Sequence, residues 1–272
     1  MELNPAFHSD EVKNTGWIDI HCHLNFLEVS PEQALQEAEA VGVQKLITIG
    51  TEPKDLEVVL ELADRLSPKV FCTLGIHPHE AKLYTSEIRD YLIQHLPSPR
   101  VVAVGEIGLD FYYNNSPKDV QVQAFREQME IAQTMNLPVQ IHTRDAEPET
   151  IEILKDFSGK VRGIIHCFTG TEALGRAALD CGFNISFSGI VTFKNAQDLR
   201  DVASFVPVDR MHVETDSPFL SPIPLRGKKN QPAHMLWTAQ KLCEIKNLDI
   251  PTFCNQMKLN AEKMFPRILG RN

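Results

Sequence analysis

Two histidines, His21 and His23, stand one residue apart at the end of the run Trp17-Ile18-Asp19-Ile20. The run has the β-branched and aromatic character of a strand. Strand side chains alternate, so both imidazoles face one way and Cys22 faces the other. Two imidazoles on one face at the end of a strand begin a metal site. Four more residues of metal-binding type follow short apolar runs in the same manner: Glu106 after Val101–Val104, His142 after Pro138–Ile141, His166 after Gly163–Ile165 and Asp216 after Arg210–Glu214. Four histidines and two carboxylates are too many donors for one tetrahedral ion and suit two divalent cations with one carboxylate bridging.

The bridge is assigned to Glu106, which comes from a middle strand between Gly105 and Gly108. His21, His23 and Asp216 are grouped on one cation, His142 and His166 on the other. A donor set rich in imidazole favours Zn, Mn, Co, Ni or Fe, with Mg open because octahedral sites keep several waters. Two divalent cations less two carboxylates leave a local charge of roughly +2, which attracts an anion. Water activated there as hydroxide would attack phosphorus, with Asp216 holding that water and accepting its proton. Glu106 and Asp216 are therefore the candidate catalytic residues.

Other residues are placed to read a substrate. Arg144, two past His142, can fork onto a phosphate, with an ion pair to Asp145 or Glu147 as its plain structural role. His77 and His79 flank Pro78 after Val70–Leu74 and can donate to phosphate oxygens, or simply shape a turn. Arg226 and Lys228 belong to a basic loop that can hold a neighbouring phosphate, although charge runs commonly only solvate a surface. Asp110 is read as a loop residue with structural hydrogen bonds. Asp19 is read as backing His21 or His23, or facing the barrel interior.

These residues need a frame that brings distant strand ends together. Eight strand-like runs alternate with helical patterns between Trp17 and Phe265. Such alternation means a parallel sheet with helical crossovers. Eight units closing on themselves give an α/β fold of the (β/α)8 TIM-type barrel, in which every strand's C-terminal end opens on one rim. An open doubly wound sheet is the competitor. Residues 1–16 read as a flexible lead-in, and 17–272 as a single domain.

The 272 residues carry a formal net charge of −9, with 43% hydrophobic and 23% charged residues. That acidic balance argues against broad attraction to nucleic acid or an anionic membrane, but not against a phosphate ester at a cationic site. The six cysteines lack CxxC spacing and read as reduced, packed thiols of a cytoplasmic protein. The polar first 16 residues hold no secretory signal, and no apolar run approaches a membrane span. No obligate protein partner is evident.

The chain resembles the TatD family of metal-dependent deoxyribonucleases, within the amidohydrolase-like hydrolases. The resemblance rests on Asp19-Ile20-His21-Cys22-His23-Leu24, Gly75-Ile76-His77-Pro78-His79, Gly105-Glu106-Ile107-Gly108-Leu109-Asp110 and Pro138 through Ala146. It continues in His166-Cys167-Phe168-Thr169-Gly170, Glu214-Thr215-Asp216-Ser217-Pro218, Arg226-Gly227-Lys228-Lys229-Asn230 and the closing Asn260-Ala261 and Phe265. It implies a TIM-like barrel, divalent-metal dependence and hydrolysis of DNA phosphodiesters, often 3′ to 5′ on single strands. It also implies the ligand set His21, His23, Glu106, His142, His166 and Asp216. Asn25 departs from the family's usual aspartate but lies outside that set. The acidic chain suits single-stranded or short ends better than long duplex. An amide or ester hydrolase of the same superfamily, including one acting on aminoacyl-tRNA, is the alternative. A carboxylated lysine bridges the metals in many such relatives, whereas Glu106 stands here. A binding protein that merely kept the fold leaves six ligands without a purpose.

Overall fold

The computed structural model describes residues 2–270. The chain runs through α1 (Asp10–Thr15), β1 (Trp17–Cys22), α2 (Pro31–Ala40), β2 (Val43–Ile49), α3 (Leu56–Arg65), β3 (Val70–Leu74), α4 (Ser86–His95) and β4 (Val101–Asp110). It continues with α5 (Lys118–Met135), β5 (Val139–Arg144), α6 (Glu147–Asp156), β6 (Gly163–Ile165), α7 (Glu172–Asp180), β7 (Asn184–Phe187), α8 (Gln197–Phe205), β8 (Met211–Val213), α9 (Met235–Lys246) and α10 (Ile250–Met264). The eight strands lie side by side in sequence order, every pair parallel. This is the expected (β/α)8 barrel, and the open-sheet alternative is set aside.

Closure is local. β8 and β1 meet just beyond β8, where Cys22 pairs with Ser217. There the Asp216 amide donates to the His21 carbonyl at 2.9 Å and the His23 amide to the Ser217 carbonyl at 2.7 Å. Three predicted ligands, His21, His23 and Asp216, thus form the seam of the barrel together with Cys22 and Ser217.

Inside the barrel, Ile18, Ile20, Ile47, Ile49, Phe71, Val102, Ala103 and Ile164 form an apolar cluster, which Met264, Phe265 and Ile268 at the end of α10 plug. A larger cluster fills the space between strands and helices. The expected flexible lead-in is corrected here. Residues Pro5–His8 form a 3-10 turn and α1 follows, with the Ser9 side chain accepting from the Val12 amide. Phe7 and Val12 are fully buried, and Phe7 packs on Trp17 with ring centroids 5.8 Å apart. Two apolar side chains in a polar stretch are too few for a periodic signal, yet each contributes about 1.5–3 kcal/mol when buried.

Two strands lose regular register where the chemistry lies. The β1–β2 pairing slips between Asp19 and Cys22, and the β4–β5 pairing slips between Val104 and Ile107. Such irregularities re-aim a side chain out of strict alternation, here around His21 and Glu106. β4 also runs on to Asp110, six residues past its predicted end. Gly108 permits this: its φ is +136°, and a Cβ there would meet the His142 carbonyl oxygen at 2.0 Å.

Candidate metal centre

At the C-terminal rim the strand ends deliver the predicted residues to one cavity of about 670 Å³. His23, His77, His79, Glu106, His142, Arg144, His166 and Asp216 line it. His21 lies beneath, fully buried, with its ring stacked on that of His166 at 3.8 Å and 4°.

Glu106 sits between two sets of donors. Its Oε2 is 3.5 Å from His21 Nε2. Its Oε1 is 2.7 Å from His166 Nε2, 3.1 Å from His142 Nδ1 and 3.4 Å from His77 Nε2. Asp216 Oδ1 completes the first set, 3.8 Å from His21 Nε2 and 3.3 Å from His23 Nε2. His21, His23 and Asp216 form one compact triad, as grouped from the sequence. The second group differs from expectation: His142 and Glu106 are joined by His77, while His166 forms its own close triad with His21 and Glu214. His77, read as a phosphate donor, thus belongs to the cluster itself.

Three of the candidate ligand imidazoles are fixed from behind, whereas His23 Nδ1 is buried without a hydrogen-bond partner. His21 Nδ1 lies 2.6 Å from Gln140 Oε1, whose Nε2 donates to the Ile20 carbonyl. His166 Nδ1 lies 3.3 Å from Glu214 Oε1, which also accepts from the Cys167 amide. His142 Nε2 lies 3.1 Å from Asp110 Oδ2, and His79 Nε2 lies 3.0 Å from the same oxygen. Asp110 therefore does more than the structural role expected of it, while its Oδ1 still accepts from the amides of Tyr112 and Tyr113. Such partners set the tautomer and orientation of a metal-binding imidazole. Asp19 is fully buried and accepts from the Thr215 amide and hydroxyl, tying β1 to the Asp216 loop. Burial raises its pKa to about 7 in spite of those hydrogen bonds.

The electrostatics share one cause: buried carboxylates need positive charge beside them, and within the polypeptide only imidazolium supplies it. Burial pushes Glu106 up, but the charge of His166 and the hydrogen bonds of His142 and His166 hold it well below the ordinary carboxylate range. Asp216 is lowered too, burial being outweighed by His23, His21 and His166. Conversely, His166 is raised well above the ordinary value, burial being overcome by Glu106 and Glu214. His23 and His142 are raised against burial by Asp216 and by Asp110 with Glu106, respectively. Burial lowers His77 to about 4 despite Glu106.

The donor set fits divalent cations. His21 Nε2 is buried without a hydrogen-bond partner and aims between Glu106 and Asp216. A lone pair in that setting, with its ring fixed by Gln140, is what a cation requires.

The remaining sequence candidates separate. Arg144 lines the cavity but makes neither expected ion pair; among the described residues its guanidinium stacks on Tyr112 at 4.0 Å and Tyr113 at 4.8 Å. Glu147 instead accepts from the Thr171 amide and hydroxyl. Arg226 is exposed and covers the Phe193 ring at 3.9 Å; neither it nor the exposed Lys228 lines the cavity. Sequence reasoning missed Gln140 and Glu214 as partners of ligands. Each stands two residues before a ligand of its own strand or strand end, which a period-two reading could have flagged.

A parallel barrel with a His, Glu and Asp cluster at its rim defines the class: a barrel hydrolase built for divalent cations. Residues 18–266 match the family model described as TatD related DNase. The chain is 35% identical over 250 residues to the uncharacterized metal-dependent hydrolase YabD of Bacillus subtilis, covering 91% of this chain and 98% of that one. It is 32% identical over 240 residues to the 3'-5' ssDNA/RNA exonuclease TatD of Erwinia amylovora, covering 86% and 93%. The crystal structure of YjjV, a TatD homologue from Escherichia coli, superimposes with a TM-score of 0.87 at 29% identity, over 92% of this chain and 98% of that one. The chain belongs to the TatD family of metal-dependent hydrolases. Among the described residues no helix is long and apolar enough to cross a membrane.

Proposed function

We propose that the protein hydrolyses phosphodiester bonds of DNA, working 3′ to 5′ from single-stranded ends, with two divalent cations at the rim cluster. The observation that carries this reading is Glu106, with Oε2 facing His21 at 3.5 Å and Oε1 facing His166 at 2.7 Å. One carboxylate that presents a separate oxygen to each of two donor sets is the geometry of a bridge. His21, His23 and Asp216 would hold one cation, and His142 and His166 the other, with His77 close enough to Glu106 to assist. The cations, whether Zn, Mn, Co, Ni, Fe or Mg, supply a water of lowered pKa and neutralise charge on the phosphate.

The chain's own residues do the rest. Asp216 Oδ1, 3.3 Å from His23 Nε2, can accept the proton released when water attacks phosphorus, as the P–O bond to the leaving sugar oxygen breaks and that oxygen takes up a proton. Glu106 keeps the two donor sets in register. Gln140, Glu214 and Asp110 hold the imidazoles in the tautomers that leave the inward nitrogens free. The Arg144 guanidinium at the cavity wall offers paired donors to a phosphate oxygen. The Erwinia amylovora relative, named as a 3'-5' ssDNA/RNA exonuclease, supports a single-stranded substrate and the polarity.

The test is a metal-replete assay comparing single-stranded DNA, duplex DNA, RNA and model carboxylic esters, with and without EDTA. Cleavage of single-stranded DNA that stops in chelator and returns with Mn, Co or Mg is expected. Turnover of the esters alone would transfer the protein to the ester and amide branch, and an unchanged rate in EDTA would end the metal mechanism.

A further inference from the structure

Four phenylalanines and tyrosines of the described chain are more than a third exposed: Phe26 at 40%, Phe219 at 50%, Tyr112 at 57% and Tyr113 at 55%. All four cluster at the mouth of one cavity. Phe26, Phe219 and Tyr113 line it, and Tyr112 packs edge-to-face on Tyr113 at 4.9 Å. Isolated exposed apolar residues are ordinary, but confinement of every such aromatic to one rim calls for a ligand.

The four form two walls, one on His23 of the first donor set and one on His79 beside the second. Phe26 stacks on the His23 ring at 5.4 Å and 11°, and Phe219 meets the same ring edge-on at 5.8 Å. Tyr113 meets the His79 ring edge-on at 5.3 Å, and Arg144 lies over both tyrosines. The cluster also anchors their backbones. The Phe26 amide donates to the His23 carbonyl at 3.0 Å and the Phe219 amide to the Asp216 carbonyl at 2.9 Å. The amides of Tyr112 and Tyr113 donate to Asp110 at 3.1 and 2.9 Å. The rings are therefore placed by residues of the candidate metal centre, and little ordering remains to be done on binding.

We infer that these walls are base-stacking subsites, taking the nucleobases on either side of the scissile phosphate of a single-stranded nucleic acid. This rests on the phosphodiesterase reading and names what that site recognises. An aromatic face beside a cationic centre suits a ligand that alternates flat π-systems with anions. Arg144 adds a guanidinium plane on the tyrosine wall. Bases inside a duplex have their faces covered by neighbours, so the walls select unpaired strands. Stacking reads no base edge, so sequence preference is weak.

The test uses Mn2+-loaded wild-type protein and the variants Phe219→Ala, Phe219→Leu, Tyr113→Ala and Tyr113→Phe. Each is assayed on an oligothymidylate and on an abasic sugar–phosphate strand of equal length, and each is titrated with a strand carrying 2-aminopurine at its 3′ end. In the two alanine variants, kcat/KM on the oligothymidylate relative to the abasic strand should fall roughly 5- to 150-fold. Tyr113→Phe should keep the wild-type ratio, and Phe219→Leu, which retains bulk without a π-face, should not. Quenching of 2-aminopurine should accompany wild-type binding and weaken in the alanine variants. Cleavage with an unaltered ratio and no quenching would overturn the stacking walls and leave the phosphodiesterase reading standing. Quenching without cleavage of either strand would do the reverse.

Discussion

His21, His23 and Asp216 sit in the sealed half of the centre: the His21 side chain is fully buried and that of His23 5% exposed. The ring of His21 is backed by a neutral amide, Gln140. In the half around His142 and His79 the side chains are 21% and 26% exposed, and the backing group is a carboxylate, Asp110, shared between two imidazoles. The difference separates two jobs. A cation held by the first set would be shielded behind the barrel seam, with His23 and Asp216 still reaching the cavity, whereas one beside His142 would have a ligand made more basic by Asp110. Glu106 reaches both and couples them.

Breaking that coupling should have the largest effect. Glu106→Ala should abolish turnover, well beyond the roughly 10- to 100-fold typical of losing an outer partner, and lower the bound metal below two per chain by elemental analysis. Two bound cations at full activity would remove Glu106 as the bridge. Asp110→Asn tests the open half alone: one cation of the two should bind roughly 10- to 100-fold more weakly, seen as a split in a metal titration. Equal weakening of both would erase the distinction between the halves. Gln140→Leu probes the sealed half, where a neutral backing group predicts a smaller loss, near the 10-fold end of that range.

Acidification sharpens the comparison further. His166, His23 and His142 have raised pKa values, so they carry protons that a cation must displace. Metal affinity should therefore decline with falling pH, beginning above the ordinary imidazole value, with proton release measurable by calorimetry in buffers of different ionisation enthalpy. His77, lowered to about 4, should add nothing to that release above about pH 5. The smallest effect on the centre should come from Phe7→Ala. It should cost roughly 3–5 kcal/mol of stability in denaturant melts, with metal stoichiometry unchanged, because Phe7 packs on Trp17 at the outside of the barrel.

The strand count, the barrel and the meeting of the six candidate ligands were legible because each candidate follows an apolar run, and parallel closure gathers such ends. What the sequence did not reveal has local physical causes. The slips in register around His21 and Glu106 depend on pairing with the neighbouring strand, which no single segment encodes. His77 joined the cluster because the Pro78–Leu83 turn follows it, with the His79 amide donating to its Nδ1 at 3.1 Å. A histidine before proline reads equally well as a turn former. Gln140 and Glu214 were passed over because an amide and a second acid inside apolar strands look like packing defects until their imidazole partners are in view. Arg144 was placed correctly at the rim, but its aromatic bed could not be foreseen from spacing. Arg226 and Lys228 belong to a loop whose buried anchor is Asn230, donating to the Thr215 and Phe219 carbonyls.

Asp216 is also a stave in the hoop, since its amide and the next residue's carbonyl hold β1 where β8 has already ended. A cation held by His21, His23 and Asp216 would therefore double as a clasp where β8 and β1 meet beyond the regular ladder. Loading should slow amide hydrogen exchange at residues 21–23 and 215–217 before it does so elsewhere, and stripping should let the wall begin to unzip at the candidate metal centre.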